Sequence, residues 1–242
     1  MKRIHFKVFS LKTMFINSVI AGVVLIVAIA SIVGSALVST AAVEGVYYHG
    51  DTESKNVSLM INVYWGTEYL DSMLKTLKEN DVKTTFFIGG TWAVLEEDML
   101  KRIKDEGHEL ANHGYRHKDQ DKISQEDNFK EISTTHKVVS ELTGVEMNLF
   151  APPSGAYSKT TVQVAKTLGY KTIMWTRDTI DWRDHNSDLI YQRAVKNAKG
   201  GDLILMHPTK ETAEVLPKIV EFYKTNGFSL VPVSTNIGNT IA

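Results

Sequence analysis

From Val57 onward the chain alternates between two periodicities that belong to different kinds of element. Seven short runs, VSLMIN, KTTFFIGG, HELANHG, NLFAPPSG, YKTIMWT, GDLILMH and FSLVPVS, are rich in β-branched and apolar residues and bounded by Gly, Pro, Asn or Asp, as strands are. Between them lie stretches such as YLDSMLKTLKEN and QEDNFKEISTTHKVVSELTG, in which apolar residues recur every three or four positions: Leu70, Met73, Leu74 and Leu77 share one helical face. Strands separated by helices pair in parallel through crossovers. The pattern therefore predicts a parallel, barrel-like α/β architecture of about seven strands. A doubly wound open sheet is the alternative. No Gly-x-Gly-x-x-Gly follows any strand, so nucleotide binding has no support. In such a barrel the chemistry gathers at the C-terminal ends of the strands.

Ahead of this domain stands a segment of another kind. Lys2, Arg3, Lys7 and Lys12 lie in the first twelve residues, and no charged side chain follows until Glu44. The charge-free run exceeds the ~20 residues that cross a bilayer core as a helix. Basic residues on its N-terminal side predict a cytoplasmic segment 1–13, a transmembrane anchor 14–43, a polar tether 44–56 and an extracytoplasmic domain. A cleaved signal peptide, which would release the domain, is the competing reading because STAAVEG offers small residues for processing. From Glu44 on there are 28 acidic against 23 basic residues, a poor surface for nucleic acid. The absence of cysteine excludes disulfides, thiol nucleophiles and Cys-ligated zinc, leaving histidines and carboxylates as metal ligands.

Candidate functional residues fall at the strand ends. NHGYRH holds His113 and His117 in one turn, a spacing that suits either two metal-binding imidazoles or two loop histidines with ordinary hydrogen bonds. DLILMHP ends an apolar strand at His207, and TRDTIDWRDH brings Asp178 and Asp181 beside Trp182. A carboxylate bonded to an imidazole fixes its tautomer and raises its basicity, so Asp181 facing His207 would make an acid pair; a helix cap and a core histidine are the plainer alternatives. FAPPSGAY is either a rigid loop or a turn that presents backbone N–H groups to an oxyanion. His136 reads as part of a solvated helix face.

Taken in order, these motifs resemble the NodB-type polysaccharide deacetylases, carbohydrate esterase family 4, over about Val57 to Val233. The opening GDTESKNVSLMINVYWG is most similar to the sporulation-associated branch, where Trp65 and Gly66 match a Trp-Gly pair. The resemblance implies a distorted (β/α) barrel of about seven strands over residues 57–235 and metal-dependent removal of N-acetyl groups from amino sugars of peptidoglycan or a related glycan. His113 and His117 would bind the metal, zinc first, with cobalt or nickel as alternatives. His207 would be the general acid, positioned by Asp181, while Trp182 and Leu205 would wall the acetyl pocket. Pro152, Pro153, Ser154 and Gly155 follow the third motif, with the Ser154 amide as oxyanion donor.

The departures are as specific as the matches. Asn62 stands where the resemblance implies the Asp that acts as base, and an amide cannot take a proton from water at neutral pH. Val63 stands at the position of a metal-binding Asp, leaving two protein ligands and a weak or absent metal, and Ala151 replaces the Arg that orients the base. Hydrolysis would then require another base, with Asp178, Asp184, His185 or His207 within reach of the motif. The two readings are a membrane-anchored N-deacetylase and a glycan-binding protein of the same fold with impaired catalysis.

Overall fold

The computed structural model describes residues 44–238, together with Ser18, Ile20, Ala21 and Gly22. Nine strands occur among the described residues: β1 (Val46–Tyr47), β2 (Asn56–Val63), β3 (Thr85–Ile88), β4 (Glu109–Asn112), β5 (Leu149–Phe150), β6 (Lys171–Ile173), β7 (Arg177–Asp178), β8 (Leu203–Met206) and β9 (Ser229–Leu230). The helices are α1 (Thr67–Glu79), α2 (Gly90–Leu95), α3 (Glu97–Asp105), α4 (Gln125–Thr143), α5 (Lys159–Thr167), α6 (Asp181–Asp184), α7 (Ser187–Val195), α8 (Lys210–Thr225) and α9 (Val233–Ile237).

All strand pairings are parallel, and eight strands follow the order β1-β6-β5-β4-β3-β2-β8-β7, with β9 pairing to the start of β2. The path ends at β1 and β7, which do not pair with each other, so the parallel α/β architecture is a half-barrel and not a closed one. The chain itself spans the gap. Leaving β6, Met174 N–H donates to Tyr47 O at 2.8 Å, and two residues later Thr176 N–H donates to Leu203 O at 3.0 Å on the other side.

Two of the nine strands escape the sequence pattern: β1 and β7 are two residues long and, unlike the equally short β5 and β9, lie within polar stretches with no apolar run to mark them. One of them corrects the domain boundaries. Residues 44–56, expected as a free tether, belong to the compact unit, with Val46 paired to Thr172 and Tyr47 to Ile173. The expected membrane span, residues 14–43, lies outside the described residues apart from Ser18, Ile20, Ala21 and Gly22. No helix among the described residues is long and apolar enough to cross a membrane.

Burial on both faces explains why β2 reads as an almost unbroken apolar run. Val57, Leu59, Ile61 and Val63 point outward into the core beneath the helices, where they join Leu70, Met73 and Leu77 of α1. Met60 points inward into a cluster with Phe87, Ala111, Leu149, Ile173 and Leu203, one each from β3, β4, β5, β6 and β8, with Val233 and Ile237 of α9 in the same cluster. Above this apolar plug, at the C-terminal ends of the strands, the interior becomes polar, and Asn62 of β2 is the residue at which the change occurs.

Candidate active site

A cavity of about 360 Å³ opens at the C-terminal ends of the strands. Asn62, His113, His117, Ser154, Trp182, Leu205 and His207 all line it, together with Tyr64, Trp65, Gly155, Trp175 and Asp178. Residues from distant parts of the chain thus meet at one place. Pro152 and Pro153 differ from the expectation: they are buried and line no part of the cavity. They stiffen the turn that puts Ser154 and Gly155 at its wall, both with positive φ, 56° and 65°.

The NHGYRH turn is held from behind. Asn112 Oδ1 accepts from Gly114 N–H at 2.9 Å, and Glu131 Oε2 of α4 accepts from Tyr115 N–H at 2.9 Å and Arg116 N–H at 2.7 Å. The turn places His113 and His117 with ring centroids 5.0 Å apart, and Tyr64 lies 5.0 Å from His117. His113 Nδ1 lies 2.8 Å from Ala151 O; donating its proton there leaves Nε2 with a free lone pair. Burial, and then the nearby His117, push the His113 pKa down to about 3. Burial also lowers that of His117. Both rings are therefore neutral acceptors at neutral pH.

His136 proves to be more than part of a solvated face. Its Nδ1 meets Tyr170 OH at 2.5 Å, its Nε2 meets Glu146 Oε2 at 2.9 Å, and Tyr170 OH also accepts from Asn112 Nδ2 at 3.2 Å. A polar chain thus runs from α4 to the root of the histidine turn. Sequence could not reveal it, because Tyr170 and Glu146 lie in separate loops.

Opposite the pair stands the second half of the site. His207 Nδ1 lies 2.8 Å from Asp181 Oδ1, and Asp181 also accepts from His207 N–H at 2.7 Å, Trp182 N–H at 2.9 Å and Thr212 Oγ1 at 2.6 Å. Asp181 is fully buried. Burial alone would raise its pKa, but the bonds and charge of His207, then Thr212, outweigh it and leave the carboxyl below its ordinary value. His207 Nδ1 is occupied by Asp181, so Nε2 is the nitrogen free to serve the cavity. The indole of Trp65 covers the ring, centroids 5.9 Å apart and planes within 8°. Gly66 makes this possible: its φ is 80°, and a Cβ there would stand 2.0 Å from Pro208 O, so only glycine lets the β2–α1 turn reach the turn after β8.

Of the substitute bases named from sequence, only Asp178 and His207 line the cavity. Asp184 is bonded to Arg183 at 2.6 Å and Arg193 at 2.5 Å, and the exposed His185 faces Glu211 at 3.5 Å. Asp178 accepts from Ile180 N–H at 2.8 Å through Oδ1, and burial raises its pKa, with that hydrogen bond acting the other way. Tyr64 and Trp175 are the lining residues that sequence reasoning missed; an aromatic at the end of an apolar strand was the available signal.

The pattern of the family described as Polysaccharide deacetylase matches residues 49–173, just over half of the chain. The chain belongs to the polysaccharide deacetylase family. It is 36% identical to the uncharacterised protein YlxY of Bacillus subtilis over 193 residues, covering 80% of this chain and 60% of YlxY. It is 29% identical to the peptidoglycan-N-acetylmuramic acid deacetylase PdaA of the same species, over 76% of this chain and 72% of that one. Among solved structures it resembles BA3943 of Bacillus anthracis, described as a carbohydrate esterase family 4 pseudoenzyme, with TM-score 0.78, 35% identity, and coverage of 79% and 68%. A mutant of BA3943 described as having restored enzymatic activity superposes with the same TM-score at 33% identity, covering 79% and 71%.

Deacetylases of this family are generally metal-dependent. The donor set here fits a catalytic zinc poorly. Among the described residues no group of three or more His, Asp or Glu side chains is placed to hold a metal, whereas catalytic zinc takes three protein ligands. Val63, at the position of the third ligand, lies in the outer core with Leu59 and Ile61, facing away from His113 and His117. Asn62 is buried, with its Oδ1 unpartnered. Ala151, at the position of the Arg, is packed in the interior cluster beside Met60 and Phe87. Of the three departures from the motifs, only Asn62 lines the cavity, while on the opposite side Asp181 and His207 form the expected pair.

Proposed function

We propose that this polysaccharide deacetylase homologue recognises an amino-sugar glycan of the peptidoglycan type at the outer face of the cell membrane, with catalysis impaired. The carrying observation is Asn62: it lines the cavity at the position where the resemblance implies a carboxylate that takes the proton from water, and its Oδ1 is buried without a donor. An amide has no basicity to offer there, and loss of a general base costs about 10²–10⁴-fold in rate. Supporting the glycan reading are a cavity lined by Tyr64, Trp65, Trp175 and Trp182, flat faces suited to pyranose rings, and relatives named for peptidoglycan deacetylation. Supporting the location are the four N-terminal cations and the charge-free run after them.

The hydrolytic reading keeps one observation in its favour, the Asp181–His207 pair at 2.8 Å. In that reading His207 Nε2 gives a proton to the departing amine while Asp181 holds the tautomer and the imidazolium. The two readings separate by assay of acetate release from N-acetylglucosamine oligomers and peptidoglycan, with zinc, cobalt or nickel supplied, alongside glycan binding. Binding without acetate release supports impaired catalysis. Turnover by the unaltered chain at rates typical of enzymes refutes it, and turnover gained by Asn62→Asp identifies the lost base as the cause.

A further inference from the structure

The charge balance of the cavity is inverted relative to what an acetamide needs. Polarising an acetamide carbonyl takes positive charge or strong donors directed at its oxygen. Val63 and Ala151, at the positions that the resemblance gives to a metal ligand and a cation, pack in apolar clusters and do not line the cavity. The only carboxylate or fixed cation among the lining residues is Asp178.

Among the described residues that carboxylate has no ion pair. Oδ1 accepts from Ile180 N–H, no donor among the described residues is paired with Oδ2, His207 and Arg193 act on it only through space, and Arg183, the nearest candidate in sequence, is tied to Asp184 at 2.6 Å and 3.1 Å and lies outside the lining. Asn62, 4% exposed, lines the cavity with an amide whose Oδ1 is buried without a donor. His113 offers an acceptor at Nε2, because its Nδ1 is engaged with Ala151 O. Trp65, Trp175 and Tyr64 surround these acceptors with aromatic faces. A carboxylate, neutral acceptors and aromatic walls form the environment that attracts an ammonium group. An acetamide offers one N–H and an oxygen that would meet other acceptors, whereas an ammonium offers three donors and a charge.

We propose that the cavity binds the free-amine form of an amino-sugar glycan, holding the ammonium of an N-deacetylated residue at Asp178 among the aromatic walls, in preference to the N-acetylated form. This rests on the glycan-binding reading above and specifies its ligand. The reaction that supplies such a ligand is an N-deacetylation of the same polymer by another catalyst. The chain would then read the product of the chemistry that its own site has lost.

The test uses the full-length protein, treated with chelator, and isothermal titration with β-1,4-linked glucosamine tetramer and its fully N-acetylated counterpart at mildly acidic pH, where the sugar amine is protonated. The glucosamine tetramer is expected to bind about tenfold tighter or more. The preference should weaken with added salt, collapse in Asp178→Asn and persist in Asp178→Glu. Equal or tighter binding of the N-acetylated tetramer overturns this inference and leaves the glycan-binding reading standing. Binding of neither overturns both. A preference that survives in a folded Asp178→Asn variant overturns the assignment to Asp178. The comparison of the two ligands on the unaltered protein needs no variant to fold.

Discussion

Mild acid should destabilise this fold through His113. The side chain is 1% exposed, and burial followed by the nearby His117 hold its pKa down from 6.5 to about 3. An unfolded chain takes up this proton near 6.5, but the folded one does so only near 3. Across that window the unfolded state binds more protons, so stability falls as pH falls below 6.5 and the loss is complete near 3. Two units below the unfolded value the loss is about 3 kcal/mol. His108, which burial pushes down to about 4, contributes over an overlapping window. The informative quantity is therefore the difference between wild type and His113→Asn, whose amide can donate to Ala151 O without titrating. Urea midpoints followed by circular dichroism from roughly pH 7.5 to 4.5, with chelator present, should show the wild-type advantage shrinking by about 3 kcal/mol. Parallel curves would mean that burial does not hold His113 neutral, and the picture of a cation-free cavity would fail with it.

Three further outcomes follow from the same geometry. Thr212→Val removes a 2.6 Å donor from the buried carboxylate of Asp181 and should cost about 1.5–3 kcal/mol in chemical denaturation; a neutral result would show that the carboxylate is satisfied without it. Val63→Asp places a charge among Leu59, Ile61 and Leu70 and should destabilise by at least ~3 kcal/mol, whereas a stable variant that binds zinc would place residue 63 in the cavity instead. Gly66→Ala, strained at φ 80° and blocked by Pro208 O, should lose at least ~2 kcal/mol and alter the tryptophan fluorescence contributed by Trp65 over His207; an unchanged spectrum and midpoint would contradict the close approach.

The parallel α/β class was legible because two periodicities do not depend on distant neighbours. Leu70, Met73, Leu74 and Leu77 form one helical face, and VSLMIN shows a doubly buried strand, whatever surrounds them. Members of the site were visible for a related reason. His113, His117, Asp181 and His207 fall at strand ends, where a backbone leaving a sheet exposes its side chains to one shared space. Short-range sequence also showed that Asn62, Val63 and Ala151 depart from the motifs that the resemblance supplies, because each stands at a fixed offset within one.

Other features depended on pairs far apart in the chain. Strands β1 and β7 have no periodicity of their own and exist because Val46 meets Thr172 and Arg177 meets Ile204. The opposite orientation of Asn62 and Val63 was set by the register of β2, which fixes which face of the sheet each successive side chain enters. The neutrality of His113, the lack of an ion pair at Asp178 among the described residues and the stacking of Trp65 on His207 come from burial and packing among separate loops. The sequence by itself determined the residue types and the order in which elements alternate, since these follow from local spacing. Only the tertiary structure decided which charges remain uncompensated, because compensation is a property of groups brought together by folding.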